Sequence, residues 1–339
     1  MSKRLEDVAE FAGVSVATVR RALNGSSTVA PPTRERVLRA LDVFGLPRPA
    51  AADGERGPLI GVVVPDLRNP VFPAFAEAIA GRLNKRGLIP VLCTRTSDGV
   101  SEANYIQMLL EQSIGGIVFI GSSYADAGPE QGKALKDRRV PIVLVNPADV
   151  NDEAVRISAD DGDAVTQSLT YLTAVGHERI GLLVGPDGHA PSVRKMAAFA
   201  DFWRARGVRA ADRMPLVGHA LFSLEGGAAT TGDLLRQGVT AIVCGSDELA
   251  LGAIRGVRRA GLDVPHDVSV IGFDDSMLMV AVDPPLTTSR QPVARMADAA
   301  VDALVRQMQG QSTALAVTQF QTQLILRGST SAARPRGSR

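Results

Sequence analysis

Cysteine and histidine are scarce in this chain, which limits the metal sites and disulfides that it could form. Its 339 residues include two cysteines and four histidines. Cys93 and Cys244 lie within short apolar runs typical of strands, so we expect two buried thiols instead of a disulfide framework or a zinc site. The sequence therefore predicts no metal and no cofactor.

Long apolar runs and the motifs of common enzymes are also missing. No stretch approaches the roughly 20 apolar residues that a membrane span requires, and the first residues contain no apolar run typical of a signal peptide. The chain has no G-x-x-x-x-G-K-[ST], G-x-S-x-G or H-E-x-x-H motif, and nothing completes a catalytic mechanism around the adjacent acids Asp274 and Asp275. We therefore expect a cytoplasmic protein that has no membrane association and is not an enzyme.

The first part of the chain predicts two short helices joined by a glycine turn. In the first helix the apolar residues recur at helical spacing, and they are Leu5, Val8, Ala9 and Ala12. Gly13 ends this helix, and Ser15 is a suitable N-cap for a second helix that runs from about Val16 to Asn24. The outward face of the second helix carries Val16, Ala17, Arg20 and Arg21.

A third helix, from Thr33 to Phe44, completes this small unit and offers arginines such as Arg34 to phosphates. Residues 1–48 contain eight Lys or Arg against five Asp or Glu, although the whole chain has a formal net charge of only +1. The alternative is an ordinary helical hairpin with solvated arginines. Small side chains at the start of the second helix, followed by arginines, favour its insertion into the major groove of DNA.

From Leu59 onward, short apolar runs rich in β-branched residues predict strands. They are residues 60–64, 89–93, 116–120, 142–146, 180–184, 241–245 and 268–273. Helical stretches separate most of these runs, which predicts an α/β fold with parallel sheets covered on both faces. The number of strands favours two lobes over one compact sheet.

Polar residues just after these strands are the pocket candidates, because ligands of parallel sheets bind beyond the carboxyl ends of the strands. They are Asp66, Asn69, Asn146, Asp247, Asp274 and Asp275. Each one alone is better explained as a cap of the following helix. Together, such carboxylates and amides suit a neutral hydroxylated ligand, with Phe72 and Phe222 as an apolar wall.

The N-terminal motifs are Asp7-Val8-Ala9, Ala12-Gly13-Val14-Ser15, Thr18-Val19-Arg20-Arg21-Ala22-Leu23-Asn24 and Thr33-Arg34. They resemble those of the lactose repressor and galactose repressor family of bacterial transcription regulators. The resemblance implies that Val16, Ala17 and Arg21 contact bases. It also implies that phosphates are held by Ser15, Thr18, Asn24 and Thr33. Arg20 replaces a usual serine of the family, so we expect it to add a contact to DNA.

The larger part of the chain carries the same resemblance through PDLRNPVF, GSDELALG, VPHDVSVIGFDD and PPLTTSRQP. It implies a two-lobed fold of the periplasmic-binding-protein type, crossed three times by the chain, with a small molecule between the lobes. It places Phe222 against a sugar ring, and either Arg194 or Lys195 at the position of the family's ligand-clamping arginine. The other implied site residues are Asn69, Phe72, Ser246 (in place of the usual asparagine), Asp247, Asp274 and Gln291.

The linker departs from the family pattern. Relatives usually carry P-N-x-x-A-R-x-L, which forms a hinge helix on operator DNA and inserts its leucine into the minor groove. This chain has LPRPAAADGERGP instead, with Pro49 near the asparagine position and Glu55 near the leucine position. Proline and glycine disfavour a helix and phosphates repel an acid, so we expect an atypical hinge that either works differently or is disordered.

The sequence thus predicts an all-α helix-turn-helix unit at residues 1–48, a linker at 49–58, an α/β two-lobed ligand-binding and dimerisation unit at 59–328, and a disordered tail at 329–339. The expected function is a sequence-specific DNA-binding repressor whose operator affinity is controlled by a sugar-like effector. Since one short helix covers few base pairs, we expect a homodimer on a pseudopalindromic operator. The alternatives are a sugar-binding protein without a DNA role and a sugar-modifying enzyme.

Overall fold

The computed structural model describes residues 2–23, 28–44, 57–94, 101–112, 114–122, 129–148, 154–311 and 317–334. The chain divides into two compact units, one of Met1–Pro58 with Gly87–Ile89 and one of Leu59–Arg86 with Pro90–Arg339. Asn24, linker residues 49–56 and the end of the chain from residue 335 lie outside the described residues. The atypical hinge therefore stays a prediction.

The first unit contains the helices α1 (Ser2–Ala12), α2 (Val16–Leu23) and α3 (Pro31–Val43). Gly13 ends α1 with a φ of 63°, a left-handed conformation that favours glycine. Ser15 caps the N-terminus of α2 as predicted, because its Oγ accepts a hydrogen bond of 3.2 Å from the amide of Thr18. Pro31 and Pro32 occupy the first turn of α3, where a missing N–H group is not a loss.

The three helices enclose a small apolar core. Its buried residues are Val8, Ala9, Ala12, Val19, Ala22, Val29, Val37, Ala40 and Leu41. The apolar stripe predicted for α1 is confirmed, although Leu5 is only half-buried. On α2, Val19 and Ala22 are buried and Leu23 is half-buried. Local apolar spacing is therefore enough to explain how this unit folds.

The second unit consists of two lobes, each built on a six-stranded sheet. The strands are β1 (Leu59–Val64), β2 (Ile89–Thr94), β3 (Gly116–Ile120), β4 (Ile142–Val145), β5 (Val155–Ala159), β6 (Ile180–Val184), β7 (Val217–His219), β8 (Ala241–Cys244), β9 (Ser269–Asp274), β10 (Thr287–Arg290), β11 (Val317–Phe320) and β12 (Gln323–Ile325). The order in lobe 1 is β11-β5-β4-β3-β1-β2, and the order in lobe 2 is β12-β10-β9-β8-β6-β7. Central neighbours such as β1 and β3 run parallel, whereas β12 is antiparallel to β10.

Helices cover both sheets. They are α4 (Val71–Asn84), α5 (Glu102–Glu111), α6 (Pro129–Asp137), α7 (Asp161–Ala174), α8 (Ala190–Arg204), α9 (Ala210–Arg213), α10 (Leu224–Arg236), α11 (Asp247–Arg259) and α12 (Val293–Met308). Helix α7 packs on lobe 2 and α12 packs on lobe 1. The chain therefore passes between the lobes three times, from β5 to α7, from β10 to α12 and from β11 to β12. The two-lobed α/β fold is thus confirmed.

The seven predicted strands are all present, with ends shifted by one residue at most. The apolar pattern does not predict β5, β7, β10, β11 or β12. The apolar pattern does not detect β10 because this strand has the polar sequence Thr-Thr-Ser-Arg. Its first three residues are nevertheless buried, and the hydroxyl of Thr288 is hydrogen-bonded to Asp247. The pattern does not detect β11 because this edge strand is mostly exposed.

The prediction of a disordered tail from residue 329 is wrong for residues 329–334. Ser329 is fully buried, and its Oγ donates 2.6 Å to the carbonyl of Val270 and accepts 2.8 Å from the amide of Thr287. Further along, the carbonyl oxygen of Ser331 lies 3.1 Å from Nε2 of His177. Small polar residues suggested a mobile end, but their hydroxyl and backbone groups complete hydrogen bonds inside lobe 2.

Cys93 and Cys244 are free and buried, as predicted. Burial raises the pKa of the Cys93 thiol to about 11. Within the described ranges, no helix combines the length and the apolar character needed to cross a bilayer. The same residues contain no group of three His, Cys, Asp or Glu side chains placed to hold a metal.

Candidate functional site

The face of α2 that is predicted to meet DNA lies on the surface of the first unit. Ala17, Arg20 and Arg21 are exposed, whereas Val16 is half-buried against the core. The guanidinium of Arg21 lies back along the helix, with Nε 3.4 Å from the carbonyl of Ala17 and Nη2 3.4 Å from the hydroxyl of Thr18. Bonds of this length are weak, so a base edge can replace them.

Hydroxyl groups lie beside this face. Ser15 Oγ and Thr18 Oγ1 are 2.9 Å apart at the N-terminus of α2, where the helix dipole favours a phosphate. On α3, the hydroxyl of Thr33 accepts a hydrogen bond of 3.4 Å from Arg36, and Arg34 is half-buried. The residues that are predicted to contact phosphates thus lie at the start of α2 and on α3.

A cavity of about 340 Å³ lies between the two lobes of the second unit, beside the carboxyl ends of their strands. This volume is at the lower end of the range for small-molecule sites, roughly 300–1,000 Å³. Eight of the ten predicted effector residues line it: Asn69, Phe72, Asn146, Lys195, Phe222, Ser246, Asp274 and Gln291. We call this cavity the cleft. Because both lobes line it, a molecule bound there contacts both.

Asp247 does not line the cleft, although it was predicted to contact the effector. Its carboxylate is turned into lobe 2, where Oδ1 accepts 2.5 Å from the hydroxyl of Thr288 and Oδ2 accepts 2.7 Å from the amide of Ser276. Burial raises the pKa of Asp247, and these hydrogen bonds oppose the rise. Asp247 therefore holds α11 against the ends of β9 and β10 and is turned away from the cleft.

Lys195 lines the cleft and Arg194 does not, so Lys195 is the better placed of the two alternatives for a ligand contact. Both cations share Asp161, since Lys195 pairs with Oδ1 and Nε of Arg194 donates 2.8 Å to Oδ2. The Lys195 and Asp161 side chains are each 4% exposed. The ammonium also lies 3.8 Å from the centroid of the Phe273 ring. Asp161 and Phe273 thus fix the ammonium at the cleft wall.

Gln291 joins the two lobes at the second chain passage. Its Nε2 donates 2.6 Å to Oδ1 of Asp274 in lobe 2, and its Oε1 accepts 2.8 Å from Nδ2 of Asn146 in lobe 1. The backbone is left-handed at both ends of this link, with φ of 47° at Asn146 and 121° at Asp274. Such strained conformations cluster at functional sites.

Asp274 lies at the end of β9 and is 7% exposed. Burial raises its pKa well above the ordinary value, and the neighbouring Asp247 raises it further, while the hydrogen bond from Gln291 opposes the shift. Asp275 has a different role, because it forms ion pairs of 2.5 Å with Arg290 and Arg327. Of the two adjacent acids, only Asp274 lines the cleft.

Two phenylalanine rings line the cleft from opposite lobes. Phe72 lies over Gly121 and Phe222 lies over Gly185, and a Cβ atom at either glycine would collide with the ring. Phe222 also packs against His189, with ring centroids 5.2 Å apart. The two glycines therefore set how deeply each ring sits, and the rings form an apolar wall on each side of the cleft.

Besides Asp66, a strand-end candidate outside the ten predicted effector residues, four polar residues that were not candidates line the cleft: Ser122, Asp161, His189 and Glu248. Ser122 is buried, and its Oγ has no hydrogen-bond partner among the described residues, so it is available to a ligand. The sequence could have indicated two of these residues, because Ser122 closely follows β3 and Glu248 directly follows the candidate Asp247. Asp161 and His189 reach the cleft through packing that local sequence does not reveal.

Comparison with known proteins identifies the family. The family model of bacterial regulatory proteins, lacI family, matches residues 4–45, and that of the periplasmic binding protein-like domain matches residues 169–330. An uncharacterized HTH-type transcriptional regulator in the aml 5′ region of Streptomyces limosus is 46% identical, over 96% of this chain and 94% of its own length. The chain belongs to the lacI family of bacterial regulatory proteins. The HTH-type transcriptional regulator MalR of Streptomyces coelicolor is 42% identical over 98% of each chain.

Solved structures of other family members share the fold. The complex of the transcriptional regulator CelR with cellobiose superposes with a TM-score of 0.70 at 28% identity, over 96% of this chain and 99% of that chain. The Lac repressor dimer bound to operator and the anti-inducer ONPF gives a TM-score of 0.71 at 28% identity, over 96% and 98%. This lacI-family protein is therefore a DNA-binding transcription regulator with a helix-turn-helix unit and a two-lobed unit.

Proposed function

We propose that this regulator represses transcription by binding a pseudopalindromic operator as a homodimer, and that a sugar-like molecule in the cleft controls its operator affinity. It acts in the cytoplasm. One observation carries the proposal: the cleft combines carboxylate, amide and hydroxyl groups with two phenylalanine rings in about 340 Å³. Hydroxyl groups and the apolar face of a sugar ring need this combination.

On the DNA side, α2 enters the major groove. Arg21 bonds to a guanine, Val16 and Ala17 contact neighbouring bases, and Arg20 adds a contact of its own. The phosphates are held by Ser15, Thr18, Asn24, Thr33 and Arg34. The exposure of the α2 arginines supports this proposal. The Lac repressor structure, which is a dimer bound to operator, supports the expected homodimer.

On the ligand side, Asp274 accepts hydrogen bonds from hydroxyl groups, and the ammonium of Lys195 donates to another oxygen of the same molecule. Phe72 and Phe222 pack on the apolar faces of the ring. The polar contacts are completed by Asn69, Asn146, Ser246 and Gln291. The CelR complex supports a carbohydrate as the ligand class, because that relative holds cellobiose.

The link across the lobes explains how a ligand could act at a distance. The Asp274 carboxylate of lobe 2 accepts hydrogen bonds from Gln291 and also from the side chain of Asn69 in lobe 1. A ligand hydroxyl that bonds to Asp274 competes for the same oxygens. Ligand binding therefore changes the free energy of one arrangement of the lobes relative to another, which is what control of a second site requires.

The test begins with a thermal-shift screen of the full chain against neutral mono- and disaccharides, cellobiose among them. A sugar that binds only the folded protein raises its melting temperature. Operator DNA is then selected from a random library by the same protein. Its affinity is measured by fluorescence anisotropy with and without each stabilising sugar.

We expect at least one sugar to stabilise the protein and to change its operator affinity. A protein that selects no DNA sequence would contradict the DNA half of the proposal. A protein that selects DNA but is stabilised by no carbohydrate would contradict the ligand half. Ultracentrifugation that finds a monomer on saturated operator would contradict the dimer.

A further inference from the structure

The ionisable groups that line the cleft are mostly acids. They are Asp66, Asp161, Glu248 and Asp274, against the single cation Lys195 and the imidazole of His189. Arg194, which shares Asp161 from outside the cleft, supplies one more positive charge. Arg68, close to Glu248, is a third cationic side chain, so among the described residues the four carboxyl groups of the cleft outnumber the cations around them by one.

The charges of the two cations are already balanced in part by Asp161. Asp161 accepts from both of them, and the Lys195 ammonium also rests on the Phe273 ring. An anionic ligand at Lys195 would have to compete with a buried carboxylate that is already paired. It would also add a negative charge close to Asp274, where burial and Asp247 already disfavour ionisation.

Glu248 and Asp66 face the cleft from different lobes. Asp66 follows β1 in lobe 1, where its Oδ1 accepts from the backbone amides of Arg68 and Asn69 at 2.8 and 3.2 Å. Glu248 is the second residue of α11 in lobe 2 and accepts from the amide of Leu224.

The two carboxylates are close enough to repel each other. Burial raises the pKa of Glu248, Asp66 and Glu225 raise it further by repulsion, and Arg68 opposes the rise. Each of these two cleft carboxylates is held in place by backbone amides of its own lobe, and the exposed Arg68 of lobe 1 supplies the positive charge that acts on Glu248. Two fixed like charges across a partly dehydrated cleft repel a third.

We propose that Glu248, together with Asp66, makes the cleft selective by charge: it accepts uncharged or amine-bearing carbohydrates and rejects phosphorylated or carboxylated ones. This inference rests on the proposed carbohydrate ligand. It assigns to Glu248 a specificity role that the strand-end pattern did not predict. A carboxylate is also a strong acceptor for a hydroxyl or an ammonium group, so the same residue favours one class of ligand while it excludes the other.

The experiment measures binding of matched sugars to the full chain by isothermal titration calorimetry. The probes are cellobiose with cellobiose 6′-phosphate, and glucose with glucosamine and glucose 6-phosphate. The protein is used unaltered and as Glu248→Gln, which keeps the size and removes the charge. Asp66→Asn is a second variant that keeps an acceptor for the turn. Glu77→Gln, on an exposed position of α4 outside the cleft, is the control with the same change in net charge.

In the unaltered protein we expect the affinity for the phosphorylated sugar to be lower than that for its parent by about tenfold or more. This difference in affinity should decrease at high salt. Glu248→Gln should narrow the ratio of the two affinities several-fold, Asp66→Asn should move it in the same direction, and Glu77→Gln should leave it unchanged. Melting curves of each variant establish that it is folded.

A phosphorylated sugar that binds as tightly as its parent would overturn the charge selection while leaving the carbohydrate ligand intact. A ratio that Glu248→Gln and Asp66→Asn both leave unchanged would remove these two residues from the selection. If none of the probes and none of the neutral sugars of the screen binds, the proposed ligand class itself is wrong and this inference falls with it.

Discussion

In the helix-turn-helix unit the arginines of α2 are exposed, whereas at the cleft of the two-lobed unit the charged groups are buried or half-buried and held by neighbours. Arg21 makes only long hydrogen bonds to its own helix. By contrast, Asp161 holds two cations and Asp274 is held by Gln291. Charged side chains are thus exposed and weakly held on α2, but buried or half-buried and fixed by partners at the cleft.

This difference indicates what each surface can recognise. Exposed arginines on a short helix can move to a polyanion, with binding that depends on salt. Fixed carboxylates and amides in a small cavity recognise the positions of a few hydroxyl groups instead. Changes at the cleft should therefore affect stability as well as binding, whereas changes on α2 should affect DNA binding alone.

The largest expected effect comes from breaking the buried ion pair. Asp161→Asn leaves the Lys195 ammonium, which is 4% exposed, without its counter-ion, and should lower the free energy of unfolding by about 3–5 kcal/mol. Urea unfolding measures this loss. The control is Asp201→Asn, which breaks an exposed pair with Arg204 and should cost about 0–1 kcal/mol. Equal effects of the two substitutions would show that burial does not distinguish these ion pairs.

Asp274→Ala should weaken ligand binding while the protein still selects its operator. Loss of a charged acceptor costs about 1.5–3 kcal/mol, or roughly tenfold or more in affinity. Calorimetry with a stabilising sugar checks the first part and anisotropy with operator DNA checks the second. Unchanged sugar affinity would mean that the ligand lies elsewhere in the cleft.

Arg21→Ala should reduce discrimination between operator and random DNA by about 1–3 kcal/mol, because a bidentate contact to guanine is lost. Arg39→Ala, which removes an exposed α3 arginine paired with Glu35, should change both affinities equally. If Arg21→Ala also weakens both DNAs equally, Arg21 contacts phosphate and not a base.

The smallest expected effect concerns the buried histidine under the C-terminal segment. Burial lowers the pKa of His177, so the unfolded chain takes up a proton before the folded one as the pH falls below about 6.5. The stability that depends on neutral His177 is therefore present above about pH 6.5 and is lost below it. Asp247 and Asp274, whose pKa values are raised, act in the opposite direction, since their burial becomes more costly as the pH rises from about 4.

The difference between the unaltered protein and His177→Gln isolates the histidine from these acids. Melting temperatures at pH 7 and pH 5 should differ less in His177→Gln than in the unaltered protein or in His266→Gln, an exposed control in the same lobe. An identical pH response of all three proteins would exclude a role for His177.

The helix-turn-helix unit could be predicted almost completely because its core depends on neighbours three and four residues apart, as in α1 and α2. Most cleft residues could be predicted because they follow apolar strands, as Asn146 and Asp274 do. The pairing of Lys195 with Asp161 could not, because it joins residues 34 positions apart on two helices. Asp247 was misplaced for a related reason, since the residues that occupy its carboxylate, Ser276 and Thr288, lie 29 and 41 positions away.

The most direct test of the central claim is the operator affinity of the full chain, measured by anisotropy with and without a saturating amount of the neutral sugar that stabilises it most. We predict a change of roughly 5–150-fold in operator Kd, the usual size of allosteric coupling, in the unaltered protein, and we expect Asp274→Ala to need a sugar concentration roughly tenfold or more higher for half of its own change. A sugar that binds the cleft by calorimetry yet leaves the operator Kd of the unaltered protein unchanged would contradict the account.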